Sequence, residues 1–165
     1  MTAVSEAFAP IEGGCTCRAV RYRLEIAPLF VHCCHCRWCQ RETGTAFALN
    51  AMVESEGVTV LAGEPERVHT PSESGAGQIV LRCPVCQVAL WSHYGGAGEA
   101  VKFLRVGTLD DPDRCPPDIH IFTGSRQPWV DLSDGAPVVE EFYRRSEYWP
   151  AASIERYELC RQRAG

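Results

Sequence analysis

No stretch of this 165-residue sequence is long and apolar enough to cross a bilayer as a helix, which argues against a membrane protein of that kind. The opening residues, Met1 to Pro10, carry Glu6 and lack both the basic start and the apolar run of a secretion signal. A reducing cytoplasm is the expected setting. Clustered positive charge is equally scarce: the formal net charge is −5, and the only basic concentrations, Arg144-Arg145 and Arg161 to Arg163, are short. Affinity for nucleic acid comes largely from massed Lys and Arg, so no nucleic acid is expected as a partner. The run Gly95-Gly96-Ala97-Gly98 lacks the G-x-G-x-x-G fingerprint, which excludes a nicotinamide dehydrogenase of the Rossmann type. Ser72 and Ser74 have no histidine arrangement around them that marks a triad. Internal repeats and low-complexity tracts are also missing. A single domain over residues 1–165 is therefore expected.

The residue in excess is cysteine, at ten copies. A chain of this length buries an apolar core without disulfide staples, and in a reducing compartment so many thiols point to metal.

From Arg18 to Ile26, Val20, Tyr22, Leu24 and Ile26 alternate with Arg21, Arg23 and Glu25, the period of a half-buried strand. Further β-like runs span Thr45 to Val53, Val58 to Ala62, Gln78 to Arg82, Val88 to Tyr94, Val101 to Val106 and His120 to Thr123. Turn residues crowd the gaps, at Gly13-Gly14, Gly63 to Pro65, Pro71 to Gly77, Gly95 to Gly98 and Asp110 to Asp118, which suits many short antiparallel strands. Helix is expected to be minor: a short turn over Arg37 to Thr43, stopped by Gly44, and a second over Ser153 to Arg163.

Cys15-Thr16-Cys17 and Cys83-Pro84-Val85-Cys86 each offer two thiolates at a turn. Zinc takes four such ligands in a tetrahedron, and a site closed by four protein ligands is structural because nothing can be exchanged. Their separation is too long for a compact finger, so a clamp built from both pairs ties distant strands together. The competing readings are core cysteines or a redox C-x-x-C pair, and iron also accepts four sulfurs. Between the pairs lies Cys33-Cys34-His35-Cys36-Arg37-Trp38-Cys39. Here Cys34, Cys36 and Cys39 supply three thiolates and leave one position open, as in a catalytic site. Cys33 or His35 as a fourth ligand would close it, but adjacent side chains seldom converge on one ion. His32, His69, His93 and His120 have no partner at a ligand spacing, and Cys115 and Cys160 read as free thiols. Phe47, Asn50 and Arg105 are candidates for lining a pocket, against the simpler reading of ordinary strand residues.

These residues resemble the family of glutathione-dependent formaldehyde-activating enzymes and the related centromere protein V. The likeness rests on Gly13-Gly14-Cys15-Thr16-Cys17 with Val20 and Tyr22, on Cys34-His35-Cys36-Arg37-Trp38-Cys39 with Gly44, on Cys83 to Cys86, and on Pro117-Asp118-Ile119-His120-Ile121 with Trp129. Arg18 and Gln87 depart from the pattern, standing where the family often has glycine after a cysteine pair. The resemblance implies an all-β fold, the β-tent of stacked small antiparallel sheets, in a single zinc-binding domain over residues 1–165 with a family-like core over about 11–145 and a tail over 146–165. It also implies two zinc ions per chain: a structural zinc on Cys15, Cys17, Cys83 and Cys86, and a catalytic zinc on Cys34, Cys36 and Cys39. The implied activity is a carbon-sulfur lyase reaction, the condensation of glutathione with formaldehyde to S-hydroxymethylglutathione.

Three protein thiolates already donate strongly to the ion, which makes it a poor Lewis acid for splitting water but leaves it able to hold a fourth thiolate. Activation of glutathione or a related thiol toward a small electrophile is thus expected rather than hydrolysis. The alternatives are a non-catalytic zinc-stabilised binding module and a glutathione carrier without turnover.

Overall fold

The computed structural model describes residues 7–165. The reading placed on Met1 to Pro10 therefore falls partly on residues 1–6, outside those described. Among the described residues ten strands form two sheets, which gives an all-β fold with minor helix. The smaller sheet joins β1 (Ile11–Gly14), β2 (Arg21–Leu24) and β5 (Val58–Ala62) in the order β1-β2-β5. The larger takes β3 (Phe30–Cys34), β4 (Ala48–Glu54), β6 (Glu66–Thr70), β7 (Gln78–Arg82), β8 (Ala89–Tyr94), β9 (Val101–Arg105) and β10 (Ile119–Ile121) in the order β10-β3-β4-β9-β8-β7-β6. Every pair is antiparallel except β10 with β3, which run parallel with His120 opposite Cys33. Helices are α1 (Arg37–Thr43), α2 (Arg145–Tyr148) and α3 (Ala151–Ala164). No described helix is long and apolar enough to cross a membrane.

Side chains alternate across a strand, and that alternation divides the core in two. Val31 of β3 with Ala51 and Val53 of β4 face the small sheet, where they pack with Tyr22, Leu24, Leu90, Trp91 and Leu104. Phe30 and Cys34 of β3 with Met52 of β4 face the other way, against Ile119, Trp149, Tyr157 and Cys160. The predicted strand at Arg18 to Ile26 is shorter than its alternation, because Arg18 to Val20 turn back from the first cysteine pair. Its inward residues Tyr22 and Leu24 are fully buried, and the Tyr22 hydroxyl bonds the Thr108 hydroxyl at 2.7 Å. The tail helix covers the second core, and Arg156 anchors it with two 2.8 Å bonds to the Glu54 carboxylate. Cys160 is a free thiol on the buried face of that helix.

The two turns that carry the outer cysteine pairs close in the same way. Arg18 donates its N–H to the Cys15 carbonyl and Gln87 donates to that of Cys83. Both residues sit in the left-handed region, at φ 66° and 61°. This is the conformation in which glycine is free and an L-residue is strained by about 1–2 kcal/mol. Cys15 also requires Gly14 before it, since a Cβ there would lie 2.3 Å from the Val20 carbonyl oxygen.

Arg18→Gly is expected to stabilise the metal-loaded protein by about 0.5–1 kcal/mol, the strain relieved less the added freedom of the unfolded chain. Arg18→Val is expected to destabilise it, because a β-branched residue tolerates positive φ worst. Urea denaturation of the three proteins side by side measures both signs.

Candidate metal centres

The first group brings Cys15 and Cys17, at the end of β1, to Cys83 and Cys86, between β7 and β8. Their four sulfurs all lie within 4.8 Å of one another. The Cys15–Cys17 sulfurs are 3.5 Å apart and the Cys17–Cys83 sulfurs 3.6 Å. A disulfide requires about 2.05 Å, whereas four sulfurs at about 2.3 Å from a central zinc stand about 3.8 Å apart. The spacing thus fits a tetrahedral metal. Backbone N–H groups point at the sulfurs, from Val20 to Cys15 at 3.3 Å and from Val85 and Cys86 to Cys83 at 3.4 and 3.5 Å. Such donors favour the thiolate. Backbone hydrogen bonds, that of Cys17 first, lower the Cys86 thiol to about 6.

The second group, Cys34, Cys36 and Cys39, also has its three sulfurs within 4.8 Å. Cys34 ends β3, Cys36 caps α1 by accepting the Cys39 N–H at 3.3 Å, and Cys39 lies in the helix. Gly44 ends the helix at φ 71° with its N–H on the Gln40 carbonyl, so the expected stop is the observed one. Hydrogen bonds with Cys34 and Cys39 bring the Cys36 thiol down to about 2, while Cys34 is pushed far above the thiol range, first by its bonds to Cys36 and Cys39. As Cys15 and Cys83 belong to the first core, so Cys34 belongs to the second, against which Cys36, Cys39, Phe122, Val139 and Tyr143 also pack.

Neither Cys33 nor His35 joins these three sulfurs. They point to the opposite side and meet His120 there, in a third group that sequence spacing did not suggest. His32 is also partnered, its Nε2 hydrogen-bonded to the Tyr143 hydroxyl, which accepts the Trp149 indole N–H at 2.6 Å. Burial lowers the His32 imidazole to about 4, so it is neutral at pH 7.

Asn50 and Arg105, expected at most as pocket residues, face each other across β4 and β9. Arg105 donates to the Asn50 side chain and, at 2.9 Å, to Glu42 of α1. Glu42 binds Arg82 at 2.9 Å with its other oxygen, so one carboxylate ties α1 to two strands. The bond with Cys34 lowers the Cys39 thiol, but the bond with Cys36 and burial push it up to about 12, with the positive charge of Arg105 acting in the lowering direction. Phe47 packs against the His35 ring, with centroids 5.6 Å apart. Outside α1 a cleft of about 550 Å³ is lined by Arg37, Gln40, Arg41, Thr45, Gln127 and Trp129.

Comparison with known proteins places this geometry in context. Residues 10–125 match the family model described as glutathione-dependent formaldehyde-activating enzyme. A Halomonas elongata protein provisionally named as a glutathione-dependent formaldehyde-activating enzyme is 25% identical over 126 residues, covering 74% of this chain and 80% of its own. A crystal structure of a Rhodobacter sphaeroides protein aligns with a TM-score of 0.46 at 16% identity, over 78% of this chain and 100% of that one.

Glu42→Gln leaves Arg82 and Arg105 without their shared anion. The expected loss is about 1–3 kcal/mol, below that of a fully buried pair, because the Arg82 side chain keeps 24% of its exposure. Chemical denaturation measures it, and Glu42→Asp is expected to fall between the two.

Proposed function

Because the chain belongs to the family of glutathione-dependent formaldehyde-activating enzymes, we propose that it is a zinc-dependent carbon-sulfur lyase. It activates the thiol of glutathione, or of a related molecule, for addition to formaldehyde or a similarly small electrophile. The observation that carries this reading is the contrast between the two sulfur groups. Cys15, Cys17, Cys83 and Cys86 bring four sulfurs together, the number that a closed structural zinc site takes. Cys34, Cys36 and Cys39 have no fourth Cys, His, Asp or Glu converging on them among the described residues, which leaves one position for an outside thiol. Zinc on these three sulfurs supplies one thing, the deprotonated state of that thiol.

The remaining work belongs to the chain itself. Arg105, held by Glu42 and Asn50, offsets the negative charge that gathers at Cys39. Arg37, next in sequence to Cys36, and Arg41, two residues after Cys39, line the cleft along α1 and suit the two carboxylates of glutathione. Partly buried Phe122, Val139 and Tyr143 pack against the same core as Cys36 and Cys39 and keep that core dry. In the addition, the sulfur pair forms a bond to the aldehyde carbon and the carbonyl π pair moves to oxygen. That oxygen then takes a proton, equivalent to the one the thiol lost. Nothing is oxidised or reduced, so no redox cofactor is called for, and the reading carries with it a reducing, cytoplasmic setting.

The test separates the two groups. Cys83→Ser is expected to unfold or aggregate the protein, because structural zinc in small peptides is worth roughly 10–16 kcal/mol against a domain stability of about 5–15 kcal/mol. Cys36→Ser is expected to keep most of the fold while losing one zinc and all glutathione-dependent formaldehyde consumption. If Cys36→Ser melts as early as Cys83→Ser, the second zinc is structural too and the enzyme reading falls.

A further inference from the structure

We propose that Cys33, His35 and His120 form a third metal site, back to back with the three-sulfur group and separate from it in function. The ligand it takes is a borderline transition-metal ion, zinc foremost, with cuprous copper as the softer competitor for a His₂Cys set.

Position comes from the strands. Cys33 and Cys34 are neighbours on β3, so their side chains leave on opposite faces. His120 is paired with Cys33 across the parallel β10–β3 ladder and shares its face. His35, whose N–H bonds the Ile121 carbonyl, follows Cys33 at the spacing that returns to that face. The three residues are among the most buried of the chain, with His35 fully enclosed.

Geometry fits an ion. Cys33 Sγ lies 3.5 Å from His35 Nε2, and His35 Nε2 lies 3.0 Å from His120 Nδ1. Ligands at about 2.3 Å for sulfur and 2.0–2.1 Å for nitrogen, set tetrahedrally, stand about 3.6 and 3.3 Å apart. The sulfur edge already matches, and the imidazoles need to part by only a few tenths of an ångström. Behind the site, His120 donates Nε2–H to the Asp134 carboxylate at 2.8 Å. This bond fixes the tautomer and turns the Nδ1 lone pair inward, the carboxylate–histidine–metal arrangement found behind metal-bound imidazoles. Binding would take the Cys33 proton to solvent, and the resulting thiolate would offset part of the ion's charge.

The competing account is a plain hydrogen-bond relay in which His35 donates Nε2–H to His120. His35 Nδ1 has no partner among the described residues, and it lacks one under either account. That orphan therefore does not choose between them. A metal count does.

Reduced full-length protein saturated with zinc and freed of excess by gel filtration is measured for zinc per chain, alongside Cys33→Ala and Cys36→Ser. Cys33→Ala is expected to hold one ion fewer than the unaltered protein while Cys36 and Cys39 remain as protected from alkylation as before. Cys36→Ser is expected to lose a different ion, so failure of the lyase reading and failure of this one are told apart. Cys33→Ala holding as many ions as the unaltered protein would overturn the proposal. Should that variant not fold, Asp134→Asn at a half-exposed carboxylate replaces it. Chelator competition is then expected to show one ion held about 10–100-fold more weakly, and unchanged retention of every ion would overturn the proposal equally.

Discussion

Two turns separated by 66 residues, one at the end of the small sheet and one within the large sheet, hold four thiols against each other. Thiols have no strong attraction of their own, and four thiolates repel, so this convergence is stable only with something at its centre that takes their charge. Much of the architecture answers to it. Gly14 lets the chain pass close under Val20, and Arg18 and Gln87 accept left-handed backbone so that each turn can close around its pair. The clamp fixes the small sheet against the large one, and the Tyr22, Leu24 and Trp91 core fills the space between.

Within that frame β3 divides the chemistry. The period of two sends Cys34 toward Cys36 and Cys39, and sends Cys33 toward His35 and His120. A sequence of four consecutive potential ligands does not build one crowded site. It builds two groups that share a strand and face apart.

The sequence made some of this legible and hid the rest for definite reasons. β5 and β7 run over the expected residues, because each is a short apolar run between turn signals. α1 also spans the predicted residues, since Gly44 is an unambiguous stop. β3 went unseen because every one of its residues is buried, which removes the alternation, and because its cysteines read as a ligand motif instead. β6 is a mostly exposed edge strand with no apolar face to detect, and β1 ends in two glycines that read as a turn. The partners of His120 were out of reach for another reason: His35 lies 85 positions away, and only the parallel pairing of β10 with β3 brings the two together. The family resemblance, by contrast, was carried by local cysteine spacings and is matched over residues 10–125.

That matched segment stops well short of the folded unit. Trp149, Tyr157 and Cys160 lie beyond it, yet they close the same apolar layer that holds Phe30 and Cys34, and Arg156 is the counter-ion of buried Glu54. A chain trimmed at residue 125 would keep all seven cysteines of the two sulfur groups and still present one flank of its sheet to water, with a carboxylate stranded in it. The limits of a sequence family and the limits of a stable body are here different lines, and relatives that lack this tail must cover that flank by other means.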